Sequence, residues 1–447
     1  MGKLFGTDGI RGVANLELTP ELALSLGRAI VTMLREGGVQ RPAVLVGRDP
    51  RWSGELLESA LVAGIAAAGG DAVTVGVVPT PAIAFLTDAS DVAAGAMISA
   101  SHNPVGDNGI KVFAGDGFKF SDQAEDRLEE LIEHPDLPRP TGTAVGRIVN
   151  DPTRTMAYIE HLLGAADRDL GGLKLVVDGA NGAASTIAPL VYRRLGAEVF
   201  DIHCRPDGAN INVGVGSTHP EVVAAAVRER GADVGLAHDG DADRLIAADS
   251  EGGEVDGDVT LAILADARKR QNSLPGDRVV TTVMTNLGFK RAMEHLGIRV
   301  VETRVGDRYV LEAMREHDAV LGGEQSGHLV QLDHATTGDG ILTALKLLGV
   351  VRESDTPLRE LATIMTRLPQ VLVNVPVLDR SGLERSTDVW EAVRREEAVL
   401  GHDGRVLVRP SGTEPLVRVM VEAPTQAAAQ ATAQRIASTV RSALGAR

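Results

Sequence analysis

The chain has 447 residues, of which 44% are hydrophobic and 24% are charged, as in ordinary globular proteins. Its 45 basic and 61 acidic side chains give a formal charge of -16, which argues against binding to nucleic acid or to an anionic membrane. One cysteine excludes an intrachain disulfide, and the N-terminal residues lack a signal-peptide pattern, so we expect a cytoplasmic protein.

The same order of elements occurs three times along the first three quarters of the chain. Each copy opens with a β-branched strand, a glycine-bearing loop and helix-compatible residues, at 43–54, 173–185 and 277–289. A second strand follows, and a third strand then runs into an unusual polar loop, at 94–104, 233–244 and 318–328. Ligands bind beyond the carboxyl ends of strands in open α/β sheets, so the three loops are expected to share one cleft.

The last part of the chain follows a different pattern, with a strand, a helix, two strands and a final helix from about Leu368 onward. This order predicts a smaller α+β domain. The whole chain is therefore predicted to be an α/β protein of four domains. Their predicted bounds are 1–150, 151–254, 255–366 and 367–447.

Two N-terminal segments contain residues suited to binding or transferring an anion. FGTDGIRG places Arg11 between two glycines, where a lone arginine is usually a surface charge but would pair with a nearby phosphoserine. SASHNP sets Ser101 beside His102 in a sharp turn, and Lys111 follows. A turn serine with local hydrogen bonds is one interpretation of Ser101. The other interpretation is that Ser101 is a nucleophile or phosphate carrier. That role requires a divalent cation nearby, which neutralises the charge of the transferred group.

DGDADR supplies such a cation site, because it places carboxylates at Asp239, Asp241 and Asp243. Alternate residues of an extended segment share a face, so three hard oxygen donors can meet one ion, and Mg²⁺ is the natural candidate. A calcium-binding EF-hand is excluded, since Arg244 and Ser250 stand where that loop needs Gly and Glu. A solvated acidic turn is the alternative.

Two later loops are suited to a sugar and to a phosphate. GEQSGH carries Glu324, Ser326 and His328, and a carboxylate with a hydroxyl can bind vicinal sugar hydroxyls, although an ordinary turn is an alternative. RPSGTEPLVR offers guanidinium, hydroxyl and backbone donors suited to phosphate, with a structural turn as the alternative. Its candidate phosphate ligands are Arg409, Ser411, Gly412, Thr413 and Arg418.

Together GTDGIRG, SASHNP, DGDADR, GEQSGH and RPSGTEP, in this order and spacing, resemble the α-D-phosphohexomutase superfamily. The match extends from Gly6 to about Arg418. Within the superfamily, Gln325 and the segment TRVGDRYV at 303–310 are most similar to the bacterial phosphoglucosamine mutases. The resemblance implies four domains around a central cleft, three of one topology and a smaller α+β domain.

The resemblance also implies a role for each loop. Ser101 would carry the phosphoryl group and would hold Mg²⁺ together with the three aspartates of DGDADR. Arg11 and Lys111 would lie beside the phosphoserine, with Lys111 a candidate general acid or base and His102 shaping the loop. Glu324 and Ser326 would hold sugar hydroxyls with His328 lining the site, and the RPSGTEP loop would bind the phosphate that does not react.

The implied reaction converts glucosamine 6-phosphate into glucosamine 1-phosphate. The sugar would take the phosphoryl group on O1, turn over as the 1,6-bisphosphate, and return its 6-phosphoryl group to Ser101. Glucosamine or glucose 1,6-bisphosphate would serve as activator, and the last domain would move on a hinge near 366–370. A phosphosugar would be the partner, with no nucleic acid and no membrane, and a homodimer is left open.

Three other functions fit parts of this pattern. The same mechanism could act on glucose or mannose phosphates, as in phosphoglucomutase/phosphomannomutase. A non-catalytic sugar-phosphate sensor would keep the cleft but lose the serine or an aspartate, and both are present. A metal-dependent phosphatase would release inorganic phosphate.

Overall fold

The protein is described by a computed structural model, which covers residues 4–6, 8–134, 137–411 and 415–445. The chain divides into two compact units. The first contains residues 1–284 and 298–364, and the second contains residues 285–297 and 365–447. Each unit is described separately below.

The first sheet has seven strands, in the spatial order β1, β2, β6, β5, β3, β4, β7. In chain order these strands are β1 Phe5–Gly6, β2 Gly9–Val13, β3 Ala43–Arg48, β4 Asp71–Val77, β5 Ala94–Ile98, β6 Asp107–Ala114 and β7 Ile148–Asn150. The accompanying helices are α1 Pro20–Glu36, α2 Trp52–Ala67, α3 Thr80–Asp88 and α4 Asp122–Glu133. Their apolar faces pack on the sheet around a core that includes Leu26, Val46 and Ile98.

The second sheet has five strands in the spatial order β12, β11, β10, β8, β9. In chain order they are β8 Lys174–Asp178, β9 Glu198–Ile202, β10 Val234–His238, β11 Leu245–Asp249 and β12 Glu254–Val255. The helices of this part of the chain are α5 Thr155–Ala165, α6 Ala184–Arg194 and α7 Pro220–Arg230.

The third sheet has four strands in the spatial order β14, β13, β15, β16. In chain order they are β13 Arg278–Thr282, β14 Arg299–Thr303, β15 Leu321–Gly323 and β16 Leu329–Gln331. The helices of this part of the chain are α8 Gly257–Arg270, α9 Leu287–His295, α10 Asp307–Glu316, α11 Gly340–Ser354 and α12 Leu358–Leu361.

The three sheets share one arrangement of four strands. The first strand of each repeat is β3, β8 or β13. It lies between the second strand (β4, β9 or β14) and the third strand (β5, β10 or β15), and all three run parallel. The fourth strand (β6, β11 or β16) runs antiparallel to the third. The third strands β5, β10 and β15 are buried along their whole length, as expected for strands covered on both faces. The three polar loops identified in the sequence each join a third strand to a fourth strand. The predicted threefold repeat is therefore confirmed.

The second unit is built on an antiparallel sheet in the order β17, β19, β18, with strands β17 Gln370–Pro376, β18 Arg405–Pro410 and β19 Leu416–Glu422. Its helices are α13 Thr387–Leu400 and α14 Gln426–Leu444, together with α9. Asn286, at the start of α9, exchanges two hydrogen bonds of 3.0 Å with the backbone of Leu368. Glu422 accepts a further hydrogen bond from the backbone of Leu287 at 3.0 Å. The prediction of a smaller α+β domain after three α/β domains is confirmed.

The grouping of α9 with the C-terminal sheet was not predicted, because its sequence continues the third α/β repeat. The second unit resumes at Met365, one residue before the predicted hinge at 366–370, and motion about that hinge stays a prediction. Among the described residues, no helix is long and apolar enough to cross a membrane.

Candidate active site

The polar loops that follow β5, β10 and β15 meet through close backbone contacts. A Cβ atom at Gly240 would lie 2.5 Å from the carbonyl oxygen of Ser101, so only glycine fits there. Leu245 donates its backbone N–H to Gly327 at 3.1 Å, and a Cβ at Gly327, where φ is +90°, would lie 2.1 Å from the Leu245 oxygen. The structure therefore brings the three loops into one site within the first unit.

Ser101 lies at the centre of this site in an unusual backbone conformation. Its φ angle is +52°, in the left-handed region, which costs a non-glycine residue about 1–3 kcal/mol unless its surroundings hold it. The side chain is buried, and its Oγ donates to Asp239 Oδ2 at 2.6 Å. Nδ1 of His102 lies 3.3 Å from the same Oγ. The serine oxygen thus faces both the acidic loop and an imidazole.

Arg51 stabilises this strained loop through its backbone carbonyl groups. Its guanidinium is fully buried and donates to the carbonyl oxygens of Ser101 at 3.0 Å, Asn103 at 2.8 Å and Asp107 at 3.2 Å. Asn212 also donates to the Ser101 oxygen, at 2.8 Å. These bonds satisfy carbonyl groups that a sharp turn would otherwise leave unpaired, and so fix the direction of the serine.

Asp49 completes the support of the loop. It accepts hydrogen bonds from Arg51 Nε at 2.9 Å and from the hydroxyl of Ser99 at 2.6 Å. The Ser99 oxygen in turn accepts the backbone N–H of Ser101 at 2.9 Å. Burial raises the pKa of Asp49, and Arg51 and Ser99 partly oppose that rise. The four residues form one buried network, in which each polar group has a partner.

We predict that Arg51→Lys lowers turnover about ten- to a hundredfold, because an ammonium cannot span several carbonyl groups as a planar guanidinium does. The same change should lower the free energy of unfolding by about 2–4 kcal/mol, since the buried Asp49 keeps a weaker partner. Steady-state kinetics and thermal denaturation measure the two effects. Arg48→Lys is the control, because Arg48 pairs with Glu55 and Glu58 and not with the serine loop. Equal effects of the two substitutions would contradict the proposed support.

Asp239, Asp241 and Asp243 place their carboxylates within 4.8 Å of one another, and all three are buried. Asp241 Oδ2 accepts hydrogen bonds from Thr80 Oγ1 at 2.5 Å and from Lys111 Nζ at 2.9 Å. Burial and the two neighbouring carboxylates raise the pKa of Asp239 well above its ordinary value. Three carboxylates this close repel one another unless a cation lies between them.

The unpartnered atoms of this cluster fit a metal ion. The Oδ1 atoms of Asp241 and Asp243 are buried and have no hydrogen-bond partner among the described residues. Asp243 Oδ1 lies 3.6 Å from His328 Nδ1, beyond hydrogen-bonding distance. Buried oxygens of this kind cost free energy unless something binds them, and carboxylate oxygens are the donors that Mg²⁺ and Ca²⁺ prefer. The triad can therefore hold a divalent cation.

Five charged side chains and His328 form a closed ring around the site, which we call the charge ring; the signs alternate all the way round when His328 is protonated. In order they are Lys111, Asp8, Lys119, Asp307, His328 and Asp243. The longest contact of the ring, 3.9 Å, joins His328 Nε2 to Asp307 Oδ2. Burial lowers the pKa of Lys111, but the carboxylates of Asp241 and Asp8 outweigh burial and raise it well above its ordinary value.

The two histidines of the site differ in charge. Burial, Arg244 and Arg11 lower the pKa of His102 to about 4, so its imidazole is neutral near pH 7. Burial also lowers the pKa of His328, but the neighbouring carboxylates of Asp243 and Asp307 reverse the shift and raise it. His328 is therefore the more readily protonated of the two histidines.

A cavity of about 390 Å³ opens beside the charge ring. The lining residues that carry charge are Asp8, Arg11, Asp243, Arg244, Asp307, Glu324 and His328. Glu324 Oε1 accepts the backbone N–H of Gly306 at 3.2 Å, and the buried Ser326 Oγ has no hydrogen-bond partner among the described residues. The volume and the mixture of donors and acceptors suit a small polar ligand.

The predicted phosphate loop belongs to the second unit. Arg409 and Arg418 are direct partners across the β18–β19 hairpin, and burial and Arg418 lower the pKa of Arg409. Like charges placed opposite each other destabilise a sheet, so an anion bound here would relieve the repulsion. Ser411 is buried, and its carbonyl accepts Arg380 Nη1 at 2.8 Å. Gly412 and Thr413 lie outside the described residues.

Sequence reasoning missed Arg51, Thr80 and Asp307, which each follow the carboxyl end of a strand. Their position at the ligand-binding edge of a sheet was a usable signal. It also missed Asp8, although the motif GTDGIRG contains it. Of the predicted residues in the first unit, the structure brings Ser101, His102, Lys111 and the aspartate triad together. Arg11 also lies at the serine loop, with Nη1 3.5 Å from Asn103 Oδ1.

Comparison with known proteins gives full-length matches. The phosphoglucomutase/phosphomannomutase models match in four parts: alpha/beta/alpha domain I at 2–139, domain II at 156–253, domain III at 256–368 and the C-terminal domain at 372–439. The chain is 57% identical to a phosphoglucosamine mutase of Frankia alni and 55% identical to one of Streptomyces coelicolor. Each alignment covers 100% of both chains.

Solved structures agree with these matches. A phosphoglucomutase/phosphomannomutase family protein of Burkholderia thailandensis has a TM-score of 0.84 at 27% identity, covering 100% of this chain and 98% of that one. An Aspergillus fumigatus N-acetylphosphoglucosamine mutase, solved with GlcNAc-6P and magnesium, has a TM-score of 0.69 at 18% identity. The alignment covers 99% of this chain and 96% of that one. At this identity it shows only that the two proteins share a fold. The chain belongs to the phosphoglucomutase/phosphomannomutase family.

Proposed function

We propose that the chain is a phosphoglucosamine mutase, which interconverts glucosamine 6-phosphate and glucosamine 1-phosphate through a phosphoserine and a 1,6-bisphosphate. The observation that carries the proposal is the buried Ser101 Oγ, 2.6 Å from a carboxylate of a three-aspartate cluster. A hydroxyl at a divalent-cation site suits phosphoryl transfer. Curated relatives that are 54–57% identical over essentially the whole chain are phosphoglucosamine mutases, which supports the amino-sugar substrate.

In the forward direction, the phosphoryl group passes from Ser101 Oγ to O1 of the sugar. The O1–H proton leaves the sugar, and Ser101 Oγ takes up one proton as its hydroxyl is restored. Lys111 Nζ has three donors and no acceptor, so it is suited to neutralising the oxygens of the group in transfer. His102 Nδ1, 3.3 Å from the serine oxygen, is placed to exchange a proton with it. Mg²⁺, when held by Asp239, Asp241, Asp243 and the phosphorylated Ser101, would supply further charge neutralisation.

The other loops are proposed to bind the rest of the substrate. Glu324 and Ser326 bind sugar hydroxyls, and His328 and Arg11 line the site. The phosphate that does not react is bound by Arg409, Ser411, Gly412, Thr413 and Arg418. The proposed domains are 1–150, 151–254, 255–366 and 367–447. The bisphosphate must reorient between the two transfers, and we propose that the last domain moves about residues 366–370 to allow this. A trace of glucosamine or glucose 1,6-bisphosphate is the proposed activator.

The proposed setting follows from the substrate. Phosphorylated sugars are metabolites of the cytoplasm, where we place the enzyme. Its product would feed synthesis of UDP-N-acetylglucosamine and so of peptidoglycan precursors.

The proposal predicts that wild-type protein converts glucosamine 6-phosphate to its 1-phosphate at least about tenfold faster than it converts glucose 6-phosphate. Phosphorus NMR with Mg²⁺ and a trace of hexose 1,6-bisphosphate follows both reactions in parallel. A preference for glucose 6-phosphate would move the chain to the general hexose-phosphate branch. Release of inorganic phosphate alone would identify a phosphatase, and no conversion would favour a sugar-phosphate sensor.

A further inference from the structure

An enzyme with the proposed function must recognise an amino group at C2 of the sugar, and the present inference rests on that proposed function. A protonated amine offers three hydrogen-bond donors and one positive charge, but no acceptor. A hydroxyl at the same carbon offers one donor and is neutral. A carboxylate facing C2 therefore separates the two sugars better than any neutral group, because a charge-assisted hydrogen bond is roughly twice as strong as a neutral one.

Among the described residues, four carboxylates line the cavity beside the charge ring: Asp8, Asp243, Asp307 and Glu324. Asp243 belongs to the metal cluster, and Glu324 is the proposed partner of a sugar hydroxyl. Asp8 forms ion pairs with three cations, Arg11, Lys111 and Lys119. Asp307 has a single close cation, Lys119, with His328 3.9 Å away, so more of its charge is left for the substituent on the neighbouring ring carbon.

Asp307 is well placed for this role. It is the first residue of α10, and one of its oxygens pairs with Lys119 while the other accepts the backbone N–H of Arg308 at 2.8 Å. A carboxylate has about four lone-pair positions, so each oxygen can accept a further bond. Its side chain is 17% exposed, and Asp307 is one of the residues that line the cavity.

The segment that carries Asp307 is tied to the proposed sugar-binding loop. Gly306, the residue immediately before it, donates its backbone N–H to Glu324 Oε1 at 3.2 Å. The two carboxylates therefore belong to one wall of the cavity and are held in register by this bond. When a sugar hydroxyl binds Glu324, the substituent on the adjacent ring carbon faces the next residues of the same wall, which include Asp307.

We propose that Asp307 is the specificity-determining residue that accepts a charge-assisted hydrogen bond from the 2-ammonium group of glucosamine phosphate. The bond forms only with the amino sugar, so removal of the charge lowers the reaction of that substrate more than the reaction of a neutral sugar. Asp307 is linked to the transfer site only through its ring contacts with Lys119 and His328.

The test compares Asp307→Asn with wild type on glucosamine 6-phosphate, glucose 6-phosphate and N-acetylglucosamine 6-phosphate, which carry an ammonium, a hydroxyl and a neutral amide. We expect kcat/KM for the amino sugar to fall about ten- to a hundredfold, as for loss of a charged hydrogen-bond partner. The value for glucose 6-phosphate should fall less, because weaker contacts to Lys119 and His328 affect both sugars equally, so the preference for the amino sugar should itself fall about tenfold. Glu312→Gln is the control, because it removes the same charge from the same helix but is not among the described residues lining this cavity.

The outcomes separate this inference from the proposed function. A wild-type protein without preference for glucosamine 6-phosphate would overturn the proposed function, and the inference with it. A wild-type preference that survives in Asp307→Asn would overturn the inference alone. A loss of equal size on all three sugars in that variant would also overturn it, because a residue that binds the C2 ammonium must lower the amino-sugar reaction more than the glucose reaction.

Discussion

Replacement of Ser101 by alanine should lower mutase turnover by about four orders of magnitude or more, because the reaction loses the atom that carries the phosphoryl group. The two neighbouring hydroxyls of the loop and the metal cluster are not free to take over that role. The hydroxyls of Ser99 and Thr80 are both buried and engaged in hydrogen bonds, to Asp49 and to Asp241. The loop itself should persist, since Arg51 holds its carbonyl groups whatever the side chain at position 101.

Phosphorus NMR on glucosamine 6-phosphate measures the loss, and mass spectrometry of the intact chain measures phosphorylation after exposure to a hexose 1,6-bisphosphate. Ser59→Ala is the matched control, because this exposed serine on α2 donates its hydroxyl to the backbone oxygen of Glu55 and lies outside the serine loop. It should keep full activity and become phosphorylated. Turnover by Ser101→Ala close to that of the control would eliminate the carrier role.

Substitution of asparagine for Asp241 should reduce activity by about a thousandfold and abolish its response to Mg²⁺. The change keeps the shape of the side chain but removes a charge from the centre of the aspartate cluster. It also deprives the buried Lys111 of a carboxylate 2.9 Å from its Nζ. Both the cation site and the lysine that faces the transferred group are then weakened together.

Activity as a function of Mg²⁺ concentration, with calorimetric titration of the metal, measures this effect. Asp249→Asn is the control, since this buried aspartate in the same domain bonds to the backbone of Glu251 and Gly253. It should retain the wild-type metal response. If both variants bound Mg²⁺ as wild type does, the aspartate cluster would not be the metal site.

Much of the architecture could be predicted because it depends on local patterns. The threefold repeat is visible as β-branched runs that end in polar loops, and the strand that precedes each loop is buried on both faces. Ser101 and the aspartate triad stand out because their chemistry is concentrated within a few consecutive residues. Such features can be predicted without knowing which distant segments of the chain come into contact.

The residues that support the site could not be found in this way. Arg51 contacts a loop about fifty residues further along the chain. Its place beyond the end of β3 marks the ligand-binding edge, but Arg48, the last residue of that strand, lies there too, and the sequence does not show which of the two supports the loop. Lys119 joins Asp8 to Asp307, three residues that come together only after the domains have packed. Helix α9 likewise follows the sequence pattern of one domain and groups with another.

The charge ring has a consequence for how the sequence can change during evolution. Because each member of the ring contacts two members of opposite sign, a single neutral replacement removes one of the two ring partners of each neighbour, whereas a compensated pair of replacements leaves the sum of charges unchanged. Substitutions at these six positions should therefore appear in related sequences as linked sets. Lineages that adopt a different sugar would be expected to exchange Asp307 together with Lys119, and not one of them alone.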